Sequence, residues 1–235
     1  MTVFEYKTID ETARRPVIGL IVLQSDQTIE PEFRKHFSPE QYDFFVSRIP
    51  SGLEVTKETL AQMAGDLTQS AKLFPRGMKF DCVGYGCTSG TSVIGVDKIA
   101  TLTREGCETS QVTEPVSGLI AACKRHGVKK LAFLSPYIES VSDRLRGVLA
   151  DNGIETPVFG TFNEAEEAKV AQIDGESIYN AAISLGKTDE VDAIFLSCTN
   201  LKTIDIADKI RKETRKPVFS SNSVLADHMK ELAEF

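Results

Sequence analysis

Apolar positions along this chain fall into two alternating patterns. Compact runs at 16–23, 43–49, 80–85, 130–135, 156–161, 193–197 and 217–219 have the length and the Val, Ile and Phe content of buried strands. Between them lie longer stretches in which apolar residues recur every three or four positions. Leu60, Met63, Ala64, Leu67 and Ala71, for example, share one helical face. The spacing predicts helices over 28–37, 55–74, 93–104, a segment ending at 121–126, then 140–151, 175–185, 204–212 and 224–233. Strands alternating with helices of this length imply parallel sheets covered on both faces.

The pattern also repeats itself. Asp81-Cys82-Val83-Gly84-Tyr85-Gly86-Cys87-Thr88 and Asp192-Ala193-Ile194-Phe195-Leu196-Ser197-Cys198-Thr199 each read Asp, an apolar run, then Cys-Thr, at an offset of 111 (198 − 87). The same offset maps Val17, Leu20 and Leu23 onto Val128, Leu131 and Leu134, and Asp97-Lys98-Ile99 onto Asp208-Lys209-Ile210. The expected architecture is therefore α/β: two flavodoxin-like (Rossmann-like) lobes with parallel sheets, related by a pseudo-two-fold axis, with the active site between them. The first lobe is expected over 1–114, joined by a C-terminal helix at 221–235, and the second over 115–220. The hinge is expected near Thr113-Glu114-Pro115.

Composition narrows the setting. With 235 residues, 41% hydrophobic and 26% charged, each half is long enough for its own core. A net charge of −7, with no basic run longer than Lys129-Lys130, argues against nucleic acid or an anionic membrane as partner. No apolar run is long enough to cross a bilayer. The start of the chain, with Asp10, Glu11, Arg14 and Arg15, lacks the apolar stretch of a signal peptide. Five cysteines, an odd number, fit reduced thiols and a cytoplasmic location. A homo-oligomer stays open.

The chemistry concentrates at the two Cys-Thr turns. Ligands of parallel sheets bind beyond the carboxyl ends of the strands, and Cys87 and Cys198 both stand there, each expected just before a helix. A helix N-terminus lowers a thiol's pKa from about 8.5 and offers N–H groups to a carboxylate. Thr88, Ser89 and Thr91 on one side, and Thr199 and Asn200 on the other, add donors. Two thiols facing one cleft suit removal of a proton from one face of a carbon and its return to the other. Cys82, Cys107 and Cys123 read as small core hydrophobes. Gly84, Gly86 and Gly90 have G-x-G-x-x-x-G spacing, not that of a dinucleotide site, and are read as letting backbone and substrate approach; no cofactor is expected. No metal is expected either, since C-x-x-C and H-E-x-x-H are missing and His36, His126 and His228 are remote in sequence.

These residues resemble the aspartate/glutamate racemase superfamily, in its branch with maleate cis-trans isomerase, arylmalonate decarboxylase and ectoine-utilization isomerase-like proteins. The resemblance runs from Val17 to about Met229. It rests on Ser25-Asp26-Gln27-Thr28-Ile29-Glu30, Cys87-Thr88-Ser89, Pro136-Tyr137, Asn163, Cys198-Thr199 and Pro217-Val218-Phe219-Ser220-Ser221-Asn222. It implies a cofactor-independent enzyme with Cys87 and Cys198 as the catalytic pair, and with Thr88, Ser89, Tyr137 and Asn163 holding substrate carboxylate. The decarboxylase branch carries Gly where this chain has Cys87, so two cysteines favour isomerisation or racemisation. Maleate isomerases carry Asn where this chain has Asp26, a residue that would repel a second carboxylate, pair with an ammonium group, or simply cap a helix. The leading expectation is a racemase or epimerase of a small amino acid or related carboxylate. Maleate-type cis-trans isomerisation by thiolate addition, arylmalonate-type decarboxylation and non-catalytic carboxylate binding are the alternatives.

Overall fold

The computed structural model describes residues 1–8 and 14–233. Asp10 and Glu11, part of the polar start noted above, lie outside the described residues. The first half runs β1 (Val17–Leu23), α1 (Ile29–His36), β2 (Asp43–Ile49), α2 (Lys57–Ala71), β3 (Lys79–Gly86), α3 (Thr88–Ile94), α4 (Val96–Gly106) and β4 (Glu108–Thr113). The second runs α5 (Pro115–His126), β5 (Lys130–Ser135), α6 (Glu139–Asp151), β6 (Glu155–Thr161), α7 (Glu167–Val170), α8 (Gly175–Gly186), β7 (Ala193–Leu196), α9 (Ala207–Thr214), β8 (Val218–Ser220) and α10 (Ser221–Ala233).

Two parallel sheets result, ordered β2-β1-β3-β4 and β6-β5-β7-β8. The second order is the first shifted by four strands, as the internal repeat requires. Every residue of β1 and β7 is buried, the pattern of strands covered on both faces. The repeated aspartates tie the starts of neighbouring strands together. Asp81 at β3 accepts the Val17 N–H at 2.8 Å, and Asp192 before β7 accepts the N–H groups of Lys129 and Lys130 at 2.8 and 2.9 Å.

Several boundaries depart from the pattern. β4 is an edge strand of mixed polarity with Val112 as its one large apolar residue, so it carries no strand signature. The single helix expected over 93–104 is two helices. The first starts at Thr88, and Gly95, at φ 91°, breaks the chain's direction before α4. Glu114 caps α5, accepting from Val116 and Ser117 N–H, with Pro115 at the first helical position.

The last helix closes the first sheet. Leu225, Ala226 and Met229 of α10 join Ile18, Leu20, Cys82, Ile29 and Phe33 in one apolar cluster. Gly84 makes this approach feasible, because a Cβ there would lie 2.5 Å from Met229 Sδ. α10 also packs on α5 and β8, so it bridges the two sheets.

Candidate active site

Cys87 and Cys198 follow the carboxyl ends of β3 and β7. Cys87 is the N-cap of α3, and its Sγ accepts the Gly90 N–H at 3.2 Å. Gly90 can be no larger: a Cβ would lie 2.7 Å from Tyr85 Oη and 2.9 Å from Cys87 Sγ. Two of the loop glycines are thus packing devices toward Met229 and Cys87, where an approach to substrate was expected.

Cys198 differs, and here the expectation of a helix after each thiol fails. Residues 199–206 form turns, and α9 begins only at Ala207. The backbone groups that would start a helix are engaged by the first lobe. Glu32 of α1 accepts the N–H groups of Thr203 and Ile204 at 2.8 and 3.1 Å, and Thr28 Oγ1 donates to the Asn200 carbonyl at 3.0 Å. Asn222 Nδ2 donates both to Glu32 and to the Thr199 carbonyl. Cys198 Sγ accepts the Asn200 N–H at 3.2 Å and lies 3.0 Å from Tyr137 Oη.

Both thiols line one small cavity with Thr88, Ser89, Tyr137, Glu167 and Thr199, roofed by Leu23, Val55 and Leu60. Its volume, about 10 Å³, suits a single water, so the cleft is closed around the pair. A larger cavity of about 350 Å³ shares the walls Val55 and Leu60 and extends to Val93, Ile138, Val141 and Arg144. The closure is made by backbone. Val55 N–H donates to the Ala165 carbonyl at 3.0 Å and Glu167 N–H to the Leu53 carbonyl at 3.1 Å, so one loop from each lobe is zipped across the cleft.

Burial governs the electrostatics. It pushes the Cys87 thiol up to about 12 against the Gly90 hydrogen bond, with Glu167 and Asp26 adding to the rise. It pushes Cys198 well above the usual thiol range, with Glu167 again adding and Tyr137 opposing. Both thiols are thus raised where lowered values were expected: at Cys87 desolvation outweighs the start of α3, and at Cys198 it acts with no helix start to oppose it. Glu167 is itself raised by burial, although Tyr137 Oη donates to its Oε1 at 2.6 Å and Asn200 Nδ2 to its Oε2 at 2.9 Å. Asp26 is likewise raised by burial. Its Oδ1 accepts the N–H groups of Thr28 and Ile29, each at 2.8 Å, and the Thr199 hydroxyl also lowers its pKa. Asp26 stands behind Thr199 and does not itself line the cavity, where contact with substrate was expected.

The expected residues meet different fates. Cys87, Cys198, Thr88, Ser89, Tyr137 and Thr199 converge on the cavity. Thr88 Oγ1 already donates to Ser221 Oγ at 2.7 Å, and Thr91 bonds back to the Cys87 carbonyl. Asn200 is not a free donor: its Oδ1 accepts the Gln27 N–H and its Nδ2 serves Glu167. Asn163 is exposed, at φ 54°, in the turn after β6. Cys82 and Cys123 are core residues, and Cys107 is half-buried at the end of α4. Sequence reasoning missed Glu167 and Glu32. Glu167 looks like surface beside Glu164 and Glu166, but it shares a helical face with Val170 and Ala171, both buried.

The family model described as arylmalonate decarboxylase matches residues 96–232, more than half of the chain. A maleate isomerase of Geobacillus stearothermophilus is 23% identical over 219 residues, covering 87% of this chain and 86% of its own. The crystal structure of the maleate isomerase Iso of Pseudomonas putida S16 superposes with a TM-score of 0.82 at 26% identity, covering 93% of this chain and 92% of that one. A cysteine-to-serine variant of the Nocardia farcinica maleate cis-trans isomerase, carrying a covalently bound succinylcysteine intermediate, superposes with a TM-score of 0.79 at 20% identity, covering 93% of each chain.

Proposed function

The chain belongs to the arylmalonate decarboxylase family, and we propose that within it this protein is a cysteine-dependent cis-trans isomerase of a small unsaturated carboxylate. The observation that carries this reading is the pair of thiols, one from each repeat, on a single closed cavity. Among the curated sequence relatives, those matched over most of their length are maleate isomerases, whereas arylmalonate decarboxylases share the fold, and this favours thiolate addition over the racemase expectation drawn from sequence. The cysteine at 87, where the decarboxylase pattern resembled above carries glycine, weighs against decarboxylation.

Cys87 is the nucleophile. In an open cleft it is solvated and caps α3, so it ionises nearer the ordinary thiol range. Closure then strips water from the thiolate and raises its reactivity. Its sulfur adds to one carbon of the double bond, and the π pair moves to the adjacent carbon and its carboxylate. Cys198 donates its S–H proton to that carbon. The former double bond, now single, rotates. Cys198, as thiolate, takes the proton back, and the C–S bond to Cys87 breaks as the trans double bond forms. The covalent intermediate held by the Nocardia farcinica variant supports the addition step. The test is incubation with maleate and related cis-enoates, followed by NMR, with Cys198→Ser used to trap an adduct of substrate mass on Cys87. Absence of both conversion and adduct overturns the reading.

A second reading keeps racemisation, on one observation: Asp26 is a buried carboxyl directly behind Thr199 of the cavity wall, where an ammonium group in the cavity would hold it ionised. Wash-in of deuterium at the α-carbon of amino acids in D₂O, without cis-trans conversion, would select it.

A further inference from the structure

Tyr137 stands between Cys198 and Glu167, and its single hydroxyl hydrogen can serve only one of them. The carboxylate takes it: Tyr137 Oη donates to Glu167 Oε1 at 2.6 Å. The 3.0 Å contact between Tyr137 Oη and Cys198 Sγ must then be made by the thiol hydrogen, pointing from sulfur to oxygen. Glu167 is fixed in turn by Asn200, whose Nδ2 donates to Oε2 at 2.9 Å and whose Oδ1 accepts the Gln27 N–H at 2.9 Å. The orientation of the whole chain is therefore set from the first lobe: Gln27, Asn200, Glu167, Tyr137, Cys198. Cys87 also has a tyrosine beside it, Tyr85, but that hydroxyl donates to Met63 Sδ at 3.6 Å, and among the described residues no carboxylate stands behind it as Glu167 stands behind Tyr137. The Cys87 sulfur accepts a backbone N–H at the start of α3.

We propose that Glu167 is a positioning residue that fixes Cys198 as the acid of the pair and leaves Cys87 as the nucleophile, acting through the direction of the Tyr137 hydrogen bond. This rests on the isomerase reading for its role in turnover, but not for its physical content. While Glu167 holds the Tyr137 hydrogen, nothing donates to Cys198 from that side, and the thiol keeps its proton until the carbanion takes it. When Cys198 has given up that proton, the Tyr137 hydroxyl can turn to the sulfur and stabilise the charge for the return step.

Glu167→Gln tests this with little change in shape. Asn200 Nδ2 can donate only to the amide oxygen, because Asn200 Oδ1 is occupied by Gln27. The new amide nitrogen must therefore face Tyr137 and donate to Oη, and the tyrosine hydrogen turns to Cys198. The experiment is iodoacetamide labelling of the full chain across pH 6–10, with the Cys198 and Cys87 peptides read separately by mass spectrometry. The expected result is a Cys198 labelling midpoint lowered by about one pH unit, roughly tenfold more thiolate at fixed pH, and a smaller shift for Cys87. With Tyr137→Phe in place, Glu167→Gln should leave only the smaller shift common to both thiols. In turnover assays, Glu167→Gln should lower kcat and move its alkaline limb down in pH, with KM little changed. An unmoved Cys198 midpoint, or an equal shift in the Tyr137→Phe background, overturns the proposal. Labelling needs no substrate, so a protein that converts no enoate would refute the isomerase reading while leaving the Glu167 result to stand or fall alone.

Discussion

Cys87 and Cys198 are equivalent by sequence and unlike in place: one caps a helix, the other ends a hydrogen-bonded chain. Serine replacements should expose this. Cys87→Ser is expected to abolish both adduct and turnover, a loss of at least about 10³-fold given the weaker nucleophilicity of a hydroxyl. Cys198→Ser should abolish turnover while still allowing adduct, and intact-mass measurement separates the two. A ligand-binding protein without chemistry would show unchanged affinity in both. Asp26 offers a pH test. Burial raises its carboxyl, so it stays protonated to higher pH than an exposed aspartate, and once ionised its charge, behind Thr199 of the cavity wall, repels a substrate carboxylate. For a dicarboxylate, KM should then rise with pH as that proton is lost, and Asp26→Asn should flatten the rise. For an ammonium-bearing substrate KM should instead fall as pH rises. The Cys-Thr repeat made the thiols visible in the sequence. Glu167 was not visible, because its neighbours Glu164 and Glu166 are ordinary surface acids and only the fold turns one of the three inward.

Elements with strong periodicity were legible almost to the residue, and those set by local chemistry were not. β2 and β5 have the expected bounds because their apolar runs end sharply. β4 escaped notice since an edge strand needs little apolar content, its ladder to β3 supplying the hydrogen bonds. The split of α3 from α4 depends on one glycine at positive φ. Gly95→Ala should cost about 1–3 kcal/mol, because φ 91° with ψ 143° is close to a region open essentially to glycine, with open space around it adding no clash. Glu114→Ala removes the cap of α5 and leaves the Val116 and Ser117 N–H groups buried without it. A loss of about 1–2 kcal/mol is expected in chemical denaturation, larger than for Asp174→Ala at the exposed start of α8.

At the scale of the molecule, the lobes are joined by buried polar groups as much as by apolar contact. Glu32 reaches from α1 to Thr203, Ile204 and Asn222, so Glu32→Ala should cost at least about 2 kcal/mol by stranding those donors. Burial raises Asp26, Glu32, Glu114 and Glu167 alike. A raised carboxyl binds its proton more tightly in the folded state, so the stability it contributes is full below its unfolded value and lost as pH rises through the folded one. These carboxyls should therefore pull denaturation midpoints down from about pH 4.5 upward, against the opposite pull of His36 and His228, whose burial lowers them. Glu114→Gln should shift the balance upward by removing one downward pull. Finally, α10 has a consequence for synthesis. The face of β1 and β3 bearing Ile18, Leu20 and Cys82 is covered in part by α1 and otherwise by α10, a helix translated only after the second sheet. The first half of the chain thus leaves the ribosome with that apolar flank only partly covered and cannot complete its core until α10 has been made. Nascent chains halted before residue 221 should engage chaperones and precipitate on release, and a separately supplied α10 peptide should rescue them.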